Sequence, residues 1–293
     1  MDRPPAILLV TGGDLMPVPD PESQLLVAAL AARGVRSELA VWDAPRDWSQ
    51  TPLVVLRTPW DYHQRPEEFL AAVRRIASVT TLVNPADLVA GNHHKWYLAE
   101  LAAAGVPVVP LSMVARGAAA SVRESALTAF GAEVVVKPAI SGGAHGTIRT
   151  AADSARAREH LAQLVEDGDA LVQPYLPEVQ AGEVSLVFFD GALHHAVLKA
   201  PAAGDFRVHA EYGGSLASHA PDDAERAVAE AVLAALPCPA TYARVDLLPT
   251  ADGPLLMEVE LIDPELFLPL DPGAAPRYAG VLVARLEAIH AGR

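Results

Sequence analysis

The sequence predicts an α/β fold that becomes α+β in its later parts, and three observations support this class. Short apolar strands alternate with helices through residues 6–85, a pattern typical of a parallel sheet. Residues 92–176 resemble a smaller α+β unit, and the last third is rich in strands. The length of 293 residues is typical of about two or three domains, and the hydrophobic fraction of 51% suffices for a sizeable core.

The first third contains four predicted strands and two predicted helices. The strand at 6–10 ends in Thr11-Gly12-Gly13, and the helix at 21–34 has proline near its start and glycine at its end. The helix at 66–78 has acids in its first turn and arginines later, as the helix dipole favours. Ligands of parallel sheets bind beyond the carboxyl ends of the strands, so Thr11–Gly13 and residues 57–63 are expected to face a ligand. The other strands are predicted at 37–43, 53–57 and 81–85.

The remaining elements follow from the same kinds of pattern. A helix is predicted over 92–105 with Asn92 as its candidate cap, and Asp190-Gly191 predicts a hairpin turn. Further helices are predicted at 117–130, 153–167, 222–236 and 274–290. Further strands are predicted at 133–138, 170–176, 183–191, 192–201, 241–249 and 253–264.

Composition excludes several classes of protein. The net charge of −14 argues against nucleic-acid binding, which needs a basic surface. The single cysteine, Cys238, cannot form a disulfide within the chain, so a cytoplasmic location is expected. The apolar stretch near the start is too short for a signal peptide, and no run of about 18 apolar residues predicts a membrane span.

Two acidic strands near the end of the chain predict a metal site. Glu258 and Glu260 are two residues apart on a strand and share a face, as do Arg244 and Asp246. If the intervening turn centres near Asp252, Asp246 and Glu258 become cross-strand neighbours, and their repulsion favours a hard cation such as Mg²⁺. An exposed strand face that carries solvated acids is the alternative. The residues expected to point into the core are Leu255, Met257, Val259 and Leu261.

A strand-end lysine and a glycine loop suggest an anion site. Lys137 ends an apolar strand, and the loop at 141–147 offers backbone N–H groups and flexibility, as a lid over a polyphosphate requires. Lys95, at a helix start, is a second candidate cation. The proline in 173–176 leaves backbone groups free to contact an adenine edge. Each of these features has an alternative interpretation. Lys137 could snorkel to the surface, Lys95 could be a solvated helix lysine, and segment 173–176 could be a plain interdomain hinge.

The order of these motifs resembles the ATP-grasp superfamily of ATP-dependent carboxylate ligases, near its glutathione synthetase, RimK-like and D-alanine–D-alanine ligase branches. The resemblance covers most of the chain and implies an ATP-grasp fold. It further implies a parallel α/β domain at 1–90, a small central lid domain at 91–176 and a C-terminal domain with a mixed or antiparallel sheet at 177–293.

The resemblance also implies a role for each matching residue. The implied catalytic residues are Arg244, Arg207 and Lys137, with Lys199 a weaker candidate beside Arg207. The implied metal ligands are Asp246, Glu258 and Glu260. The implied nucleotide contacts are Lys95, Lys137, Ser141, Gly142, Gly143, His145, Gly146, Gln173, Pro174, Tyr175, Leu176 and Glu183.

The implied reaction uses ATP with one or two Mg²⁺ ions, or Mn²⁺, to convert a carboxylate into an acyl phosphate that a nitrogen nucleophile attacks. ADP and phosphate are released. The expected partner is a small-molecule carboxylate that carries such a nitrogen, and the expected assembly is a monomer or homodimer. Two features depart from the usual family pattern, namely Glu260 in place of asparagine and the segment 262–267 in place of a Ser-Pro-Gly type.

Segments 56–70 and 259–268 resemble a less common subgroup, which includes the ligase that closes the ring of D-cycloserine from O-ureido-D-serine. An intermolecular amide-forming ligase, an ATP-dependent kinase and a non-catalytic nucleotide-binding module remain alternatives. The residues of segment 60–62 have a substrate-lining and a structural interpretation that are equally supported. Two histidine pairs, at 93–94 and 194–195, invite a zinc interpretation, but adjacent residues on a helix or strand point apart, so these pairs are expected to be structural.

Overall fold

The computed structural model describes residues 4–13, 20–209 and 212–292, whose strands form three sheets. The N-terminal sheet is parallel, with strand order β2-β1-β3-β4, as the alternation of strands and helices predicts. Its helix α1 begins after Asp20, whose side chain accepts the N–H of Ser23 at 2.9 Å and so caps the helix. The elements are β1 (Ile7–Thr11), α1 (Pro21–Ala31), β2 (Ser37–Val41), β3 (Leu53–Thr58), α2 (Pro66–Ala77) and β4 (Thr81–Val83).

The prediction of one helix over 92–105 is wrong, because this range contains the end of one helix and the whole of the next. Helix α3 (Ala86–Asn92) ends where the prediction begins, and α4 (Tyr97–Ala103) starts one turn later. Asn92 is therefore not a cap, and its side chain instead joins the backbone of Val259 and Leu261, at 2.8 and 2.9 Å. In the break, the N–H of Lys95 donates to the carbonyl of Ala139 at 2.9 Å, which holds Lys95 beside the glycine loop.

The central sheet is antiparallel, with strand order β5-β8-β6-β7. Its two helices pack on one another and on the sheet, around Leu127, Leu161 and Val136. Strand β6 ends in Lys137-Pro138, so the glycine loop that follows leaves the sheet at the lysine. The elements are β5 (Ser112–Val114), α5 (Ala120–Thr128), β6 (Glu133–Pro138), β7 (Ile148–Ala151), α6 (Ala155–Asp167) and β8 (Ala170–Pro174).

The C-terminal sheet is antiparallel, with strand order β11-β10-β9-β12-β13. The predicted hairpin turn is confirmed, with positive φ angles of 52° at Asp190 and 76° at Gly191. Strand β11 was not predicted, because it lies at the sheet edge and is mostly exposed. The elements are β9 (Glu183–Phe189), β10 (Ala192–Ala200), β11 (Ser215–His219), α7 (Asp223–Ala234), β12 (Tyr242–Leu248), β13 (Leu255–Glu260) and α8 (Ala274–Ala291).

Hydrophobic cores cross between the thirds of the chain. Tyr278 and Leu282 of α8 share a core with Ile7 of β1, and Leu98 of α4 shares another with Val245 of β12. The division at residues 90 and 176 therefore stays a prediction about domains rather than a description of separate cores. None of the helices in the described part of the chain combines the length and the apolar composition that a bilayer crossing requires.

A buried ion pair within the N-terminal domain also holds the segment that follows β13. Arg57 on β3 is 0% exposed, and its Nη2 donates to Glu22 Oε2 at 3.0 Å. The carboxylate of Glu22 also accepts the backbone N–H groups of Leu266 and Leu268, each at 2.9 Å. Arg57 Nη1 donates to the carbonyl of Pro264 at 3.3 Å. The pair thus fixes the segment after β13 against the N-terminal domain. The expectation that Arg57 faces a ligand is wrong, because its guanidinium is engaged in these contacts.

We expect Arg57→Met to lower the free energy of unfolding by about 3–5 kcal/mol, because it leaves the Glu22 carboxylate buried without its cation. Arg158→Met provides the matched control, since it breaks a pair with Glu124 whose side chains are 47% and 46% exposed. Such surface pairs contribute about 1 kcal/mol or less. Urea unfolding of both variants would measure the difference, and equal losses would contradict the assignment.

Candidate active site

A cleft of about 500 Å³ lies where the three sheets meet, and most of the predicted site residues line it. The strand ends of β6, β8, β9 and β10, the inward faces of β12 and β13, and the break between α3 and α4 all contribute. The predicted residues that line it are Lys95, Lys137, Ser141, Gly142, Gly143, His145, Gln173, Pro174, Tyr175, Leu176, Glu183, Arg207, Arg244, Asp246, Glu258 and Glu260.

Gly146 is the exception among the predicted nucleotide contacts, because it is not part of the cleft lining. Its φ is +69°, and a Cβ at this position would lie 2.9 Å from Pro138 Cγ. Its carbonyl faces His160 Nε2 at 2.8 Å. Gly146 therefore shapes the glycine loop and does not contact the cleft.

The strand register confirms the predicted pairing of the acidic strands. Asp246 lies opposite Glu258, and Arg244 lies opposite Glu260. The expected inward direction of Leu255 and Met257 is wrong, because a bulge between Asp246 and Leu247 makes Met257 an extra residue on β13. Met257 lines the cleft, and Leu256 is the buried residue instead.

Asp246 is held ionised by three partners. It accepts from Arg244 Nη2 at 2.9 Å, Lys199 Nζ at 3.0 Å and Ser185 Oγ at 2.6 Å. Burial alone would raise the pKa of Asp246, but Arg244 and Lys199 outweigh it and hold this pKa well below its usual range. Asp246 therefore presents a carboxylate at neutral pH.

The two predicted nucleotide lysines both act on the charge of Glu258. Lys95 Nζ lies 2.5 Å from Glu258 Oε1. Burial opposes ionisation of Glu258, but Lys95 and Lys137 together lower its pKa. Burial and the neighbouring Lys95 lower the pKa of Lys137 to about 8, against the opposing effect of Glu258. The position of Lys137 in the cleft rules out a lysine that merely snorkels to the outer surface.

Glu260 and Asp263 are the less neutralised acids of the cleft. Burial raises the pKa of Glu260 to about 8 despite its hydrogen bond with Arg244, and Glu258 and Asp246 add to the shift. Burial likewise raises the pKa of Asp263 to about 7. Arg244 serves both Asp246 and Glu260, so one guanidinium is shared by two carboxylates. Such a set of hard oxygen donors, whose ionised forms a bound cation would favour, suits Mg²⁺.

Lys199 lies deeper in the site than the sequence suggests. It is cross-strand to Glu183, and its ammonium lies 2.5 Å from Glu183 Oε1 while also reaching Asp246. Arg207 lines the cleft, but its guanidinium pairs with Asp205 at 2.7 Å and stacks over the Tyr212 ring at 3.5 Å. Lys199 is therefore better placed than Arg207 to act on Asp246. Ala210 and Glu211, in the segment after Arg207, lie outside the described residues.

The glycine loop touches both flanking domains. The hydroxyl of Tyr212 donates to the carbonyl of Gly143 at 3.3 Å. On the other side, a Cβ at Gly142 would lie 3.4 Å from His63 Nδ1, and the rings of His63 and His145 are 6.2 Å apart. The loop thus spans the cleft between the segment after β3 and the segment after β10, as a cover over bound phosphates would.

The hinge after β8 contains a buried amide with no partner. Gln173 is 2% exposed and lines the cleft, and its Nε2 has no hydrogen-bond partner among the described residues. An unpaired buried amide is costly, so a ligand that pairs with it is favoured. A purine edge, with its donor and acceptor groups, fits this position.

The segment after β3 divides between structural and cleft-lining residues. Trp60, Tyr62 and His63 line the cleft, and Trp60 Nε1 donates to the carbonyl of Asp263 at 3.0 Å. Asp61 is structural, because it accepts from Trp42 Nε1 at 2.9 Å and packs against Gly12. The expectation that Thr11–Gly13 faces the ligand is wrong for the described cleft, since Asp61 fills the space beyond that strand end.

His209 is a cleft residue that the sequence did not reveal. Burial, together with Lys199 and Arg244, lowers its pKa to about 4, so the ring is neutral at physiological pH. A single histidine in an irregular segment carries no periodic signal. Only the approach of β10 and β12 in space identifies it as a neighbour of the charged cluster.

Two family models match this chain, one in its N-terminal third and one in the region that follows. Residues 7–84 match the family model for the N-terminal domain of D-cycloserine synthetase DcsG, and residues 105–261 match that for the ATP-grasp domain of prokaryotic glutathione synthetase. The cycloserine biosynthesis protein DcsG of Streptomyces lavendulae is 38% identical over an alignment of 296 positions. The alignment covers 96% of this chain and 99% of that protein.

Solved structures give the same picture. The crystal structure of D-cycloserine synthetase DcsG matches with a TM-score of 0.87 and 35% identity, covering 96% of this chain and 99% of the other. The D-alanine–D-alanine ligase of Bacillus anthracis, complexed with ATP, matches with a TM-score of 0.69 and 14% identity over 98% of each chain. The latter similarity concerns the fold alone.

Proposed function

The chain belongs to the ATP-grasp family of ATP-dependent ligases, and we propose that it closes a ring within O-ureido-D-serine to form D-cycloserine. The similarity to DcsG over nearly the whole chain supports this substrate. The observation that carries the proposed chemistry is the pairing of Asp246 with Glu258 between Lys95, Lys137 and Arg244 in one cleft. ATP-grasp ligases in general use ATP and Mg²⁺.

We propose that ATP occupies the half of the cleft between the central and C-terminal sheets. Gln173 and the backbone at Leu176 would contact adenine, and Glu183 would contact ribose. Lys95 and Lys137 would contact the phosphates, under the glycine loop. The unpaired Gln173 amide and the two lysines aimed into one space support this placement.

Asp246, Glu258 and Glu260 would hold the metal. Magnesium in this position would neutralise phosphate oxygens during transfer and favour the ionised form of Glu260. Arg244, fixed by Asp246 and by the carbonyl of Glu265 at 3.0 Å, would orient the transferred phosphoryl group. Phosphoryl transfer depends chiefly on positioning and charge neutralisation, which these side chains supply without a covalent intermediate on the protein.

The substrate would lie beyond the γ-phosphate, toward the segment after β3. Trp60, His63 and Asp263 line this end of the cleft. The carboxylate of the substrate attacks the γ-phosphate to give an acyl phosphate and ADP. The substrate nitrogen bonded to the ureido oxygen then attacks the acyl carbon and expels phosphate. Because the nucleophile and the electrophile belong to one substrate molecule, holding that molecule in a folded conformation supplies much of the rate enhancement. The glycine loop would exclude water from the acyl phosphate.

Formation of D-cycloserine also requires loss of the carbamoyl group. The ring-closed intermediate still carries it, and one water removes it as carbon dioxide and ammonia. Ammonia release therefore distinguishes this reaction from an intermolecular amide ligation, which releases ADP and phosphate alone. A kinase would leave phosphate on its product.

The assay that tests the function follows from this balance. We expect the protein, ATP, Mg²⁺ and O-ureido-D-serine to give ADP, free phosphate, ammonia and D-cycloserine in equal amounts. The products would be measured by coupled enzyme assays and mass spectrometry, with O-ureido-L-serine and D-serine as comparison substrates. ADP release that requires a second amino acid would instead favour intermolecular ligation.

We expect Glu258→Gln to lower Mg²⁺-dependent ADP release by about 10²- to 10³-fold, the usual cost of removing one electrostatic group from such a site. The amide keeps the shape but removes the charge that holds both the metal and Lys95. Glu124→Gln on the exposed face of α5 is the matched control and should keep full activity. Normal magnesium dependence in a folded Glu258→Gln protein would refute the metal assignment.

Nucleotide affinity should also depend on pH through Lys137. Because the pKa of Lys137 is lowered to about 8, its ammonium charge is present below this pH and lost above it. We expect the Kd for ATP to rise between pH 8 and pH 9.5, by up to about tenfold per pH unit. Lys137→Arg stays charged over this range and should show a flatter profile in calorimetric titrations. Parallel profiles for the two proteins would exclude Lys137 as the titrating phosphate contact.

A further inference from the structure

Two histidines and an aspartate meet outside the lining of the cleft. The Nδ1 atoms of His194 and His195 are 3.0 Å apart, and Asp271 Oδ2 lies 3.9 Å from His194 Nδ1. One donor atom from each residue lies within 4.8 Å of the others. The histidines belong to β10, and Asp271 precedes α8, so the cluster joins the sheet to the C-terminal helix.

A bulge in β10 brings the two imidazoles together. Leu193 lies opposite Phe188 and His195 lies opposite Val187, so His194 is an extra residue between them. Adjacent strand residues ordinarily face opposite sides, and the expectation that this pair points apart is wrong because the bulge removes the alternation.

The surrounding hydrogen bonds leave His195 Nδ1 and Asp271 Oδ2 available as acceptors, and the tautomer of His194 that is protonated on Nε2 presents its Nδ1 as the third. His195 Nε2 lies 2.9 Å from the carbonyl of Leu266, so this nitrogen carries the proton and Nδ1 has a free lone pair. Burial and the neighbouring His194 lower the pKa of His195, which favours the neutral ring. The N–H of Gly273 donates to Asp271 Oδ1 at 2.7 Å, which orients the carboxylate and leaves Oδ2 toward the rings.

We propose that His194 Nδ1, His195 Nδ1 and Asp271 Oδ2 form a binding site for a divalent transition metal of the zinc class. Zinc–nitrogen bonds of about 2.0–2.1 Å in tetrahedral geometry place two ligand nitrogens roughly 3.3 Å apart, close to the 3.0 Å found here. Histidines that bind zinc usually donate their other ring N–H to a carboxylate, a backbone carbonyl or water. His195 makes this type of hydrogen bond with the carbonyl of Leu266.

The ligand types separate this site from the magnesium ligands of the cleft. Imidazole nitrogens favour zinc, copper and nickel, whereas Mg²⁺ favours oxygen. Two nitrogens and one carboxylate leave a fourth position for water. His194 and Asp271 are 18% and 37% exposed at their side chains, so an ion can enter from solvent.

The metal would fasten the segment that follows β13. Leu266, which His195 contacts, is two residues from Pro264 and three from Asp263, which lines the cleft. Binding would restrain this segment from β10 on one side, while Arg57 holds it at Pro264 from the other. The site is therefore stabilising, and it is expected to affect unfolding more than it affects the chemistry.

The two histidines could otherwise share a proton, with His194 Nδ1–H donating to His195 Nδ1 and no metal required. Binding measurements distinguish the two arrangements. Untagged protein, stripped with a chelator and dialysed against zinc in millimolar Mg²⁺, would be analysed for bound metal and for its melting temperature. Magnesium in excess competes with zinc for the oxygen ligands of the cleft, and the ligand variants described below distinguish zinc bound there from zinc bound at the histidines.

We expect one zinc per chain and an increase in Tm of about 5 °C at zinc concentrations near 100 times the Kd. His195→Gln and Asp271→Asn should each weaken binding by at least tenfold and remove the increase in Tm. His290→Gln, on the terminal helix and outside the cluster, is the matched control and should bind as the unmodified protein does. Circular dichroism would verify that each variant folds.

The proposal fails if the stripped protein takes up no zinc under these conditions. It also fails if zinc binds equally well to the His195→Gln and Asp271→Asn proteins, since the ion then occupies another place. Because none of the three ligands lines the cleft, neither failure depends on whether the protein forms D-cycloserine.

Discussion

The balance of buried charges in the cleft is the constraint on which the rest of the site depends. Asp246 and Glu258 cannot stay ionised away from water unless cations accompany them. The protein meets this requirement with cations from four separate parts of the chain, so that no single element forms the site. The carboxylates that line the cleft are Glu183, Asp246, Glu258, Glu260, Asp263 and Glu265, and the cations are Lys95, Lys137, Lys199 and Arg244, together with Arg207, which is paired with Asp205. Because the acids outnumber these cations, the raised pKa values of Glu260 and Asp263 are the expected consequence, and a divalent ion is their natural complement.

Two of the cations, Lys95 and Lys137, reach the cluster through a local departure from regular structure. Lys95 enters because the helix breaks between Asn92 and Tyr97, and Lys137 enters because β6 ends there and the glycine loop turns away. Lys199 remains on a regular strand, where the register alone sets it opposite Glu183. The site therefore combines one rigid sheet with two irregular segments, which is the arrangement expected when a rigid scaffold must admit a nucleotide.

The sequence predicts most of the strands, the acidic pairing and most of the cleft residues, because all of these depend on local periodicity and on motif order. It fails at Met257 and at His194, and for the same physical reason. Each is the extra residue of a bulge, which reverses the inward and outward alternation of its strand. A bulge is determined by pairing with another strand, so no periodicity within β10 or β13 records it. The helix break at Lys95 is likewise stabilised by distant partners, such as the carbonyl of Ala139.

The segment after β13 carries one of the two departures from the usual family pattern, the stretch 262–267, and several side chains hold its backbone in place. Its backbone groups are bound by side chains from the N-terminal domain, including α1, and from the C-terminal sheet. These bonds fix the position of Asp263, which lines the cleft. The contacts are Trp60 to Asp263, Arg57 to Pro264, Arg244 to Glu265, His195 to Leu266, and Glu22 to Leu266 and Leu268. If the substrate lies against Asp263 as proposed, its selection would depend on the N-terminal domain, whose side chains position the segment, as well as on the sheet that carries the charged cluster.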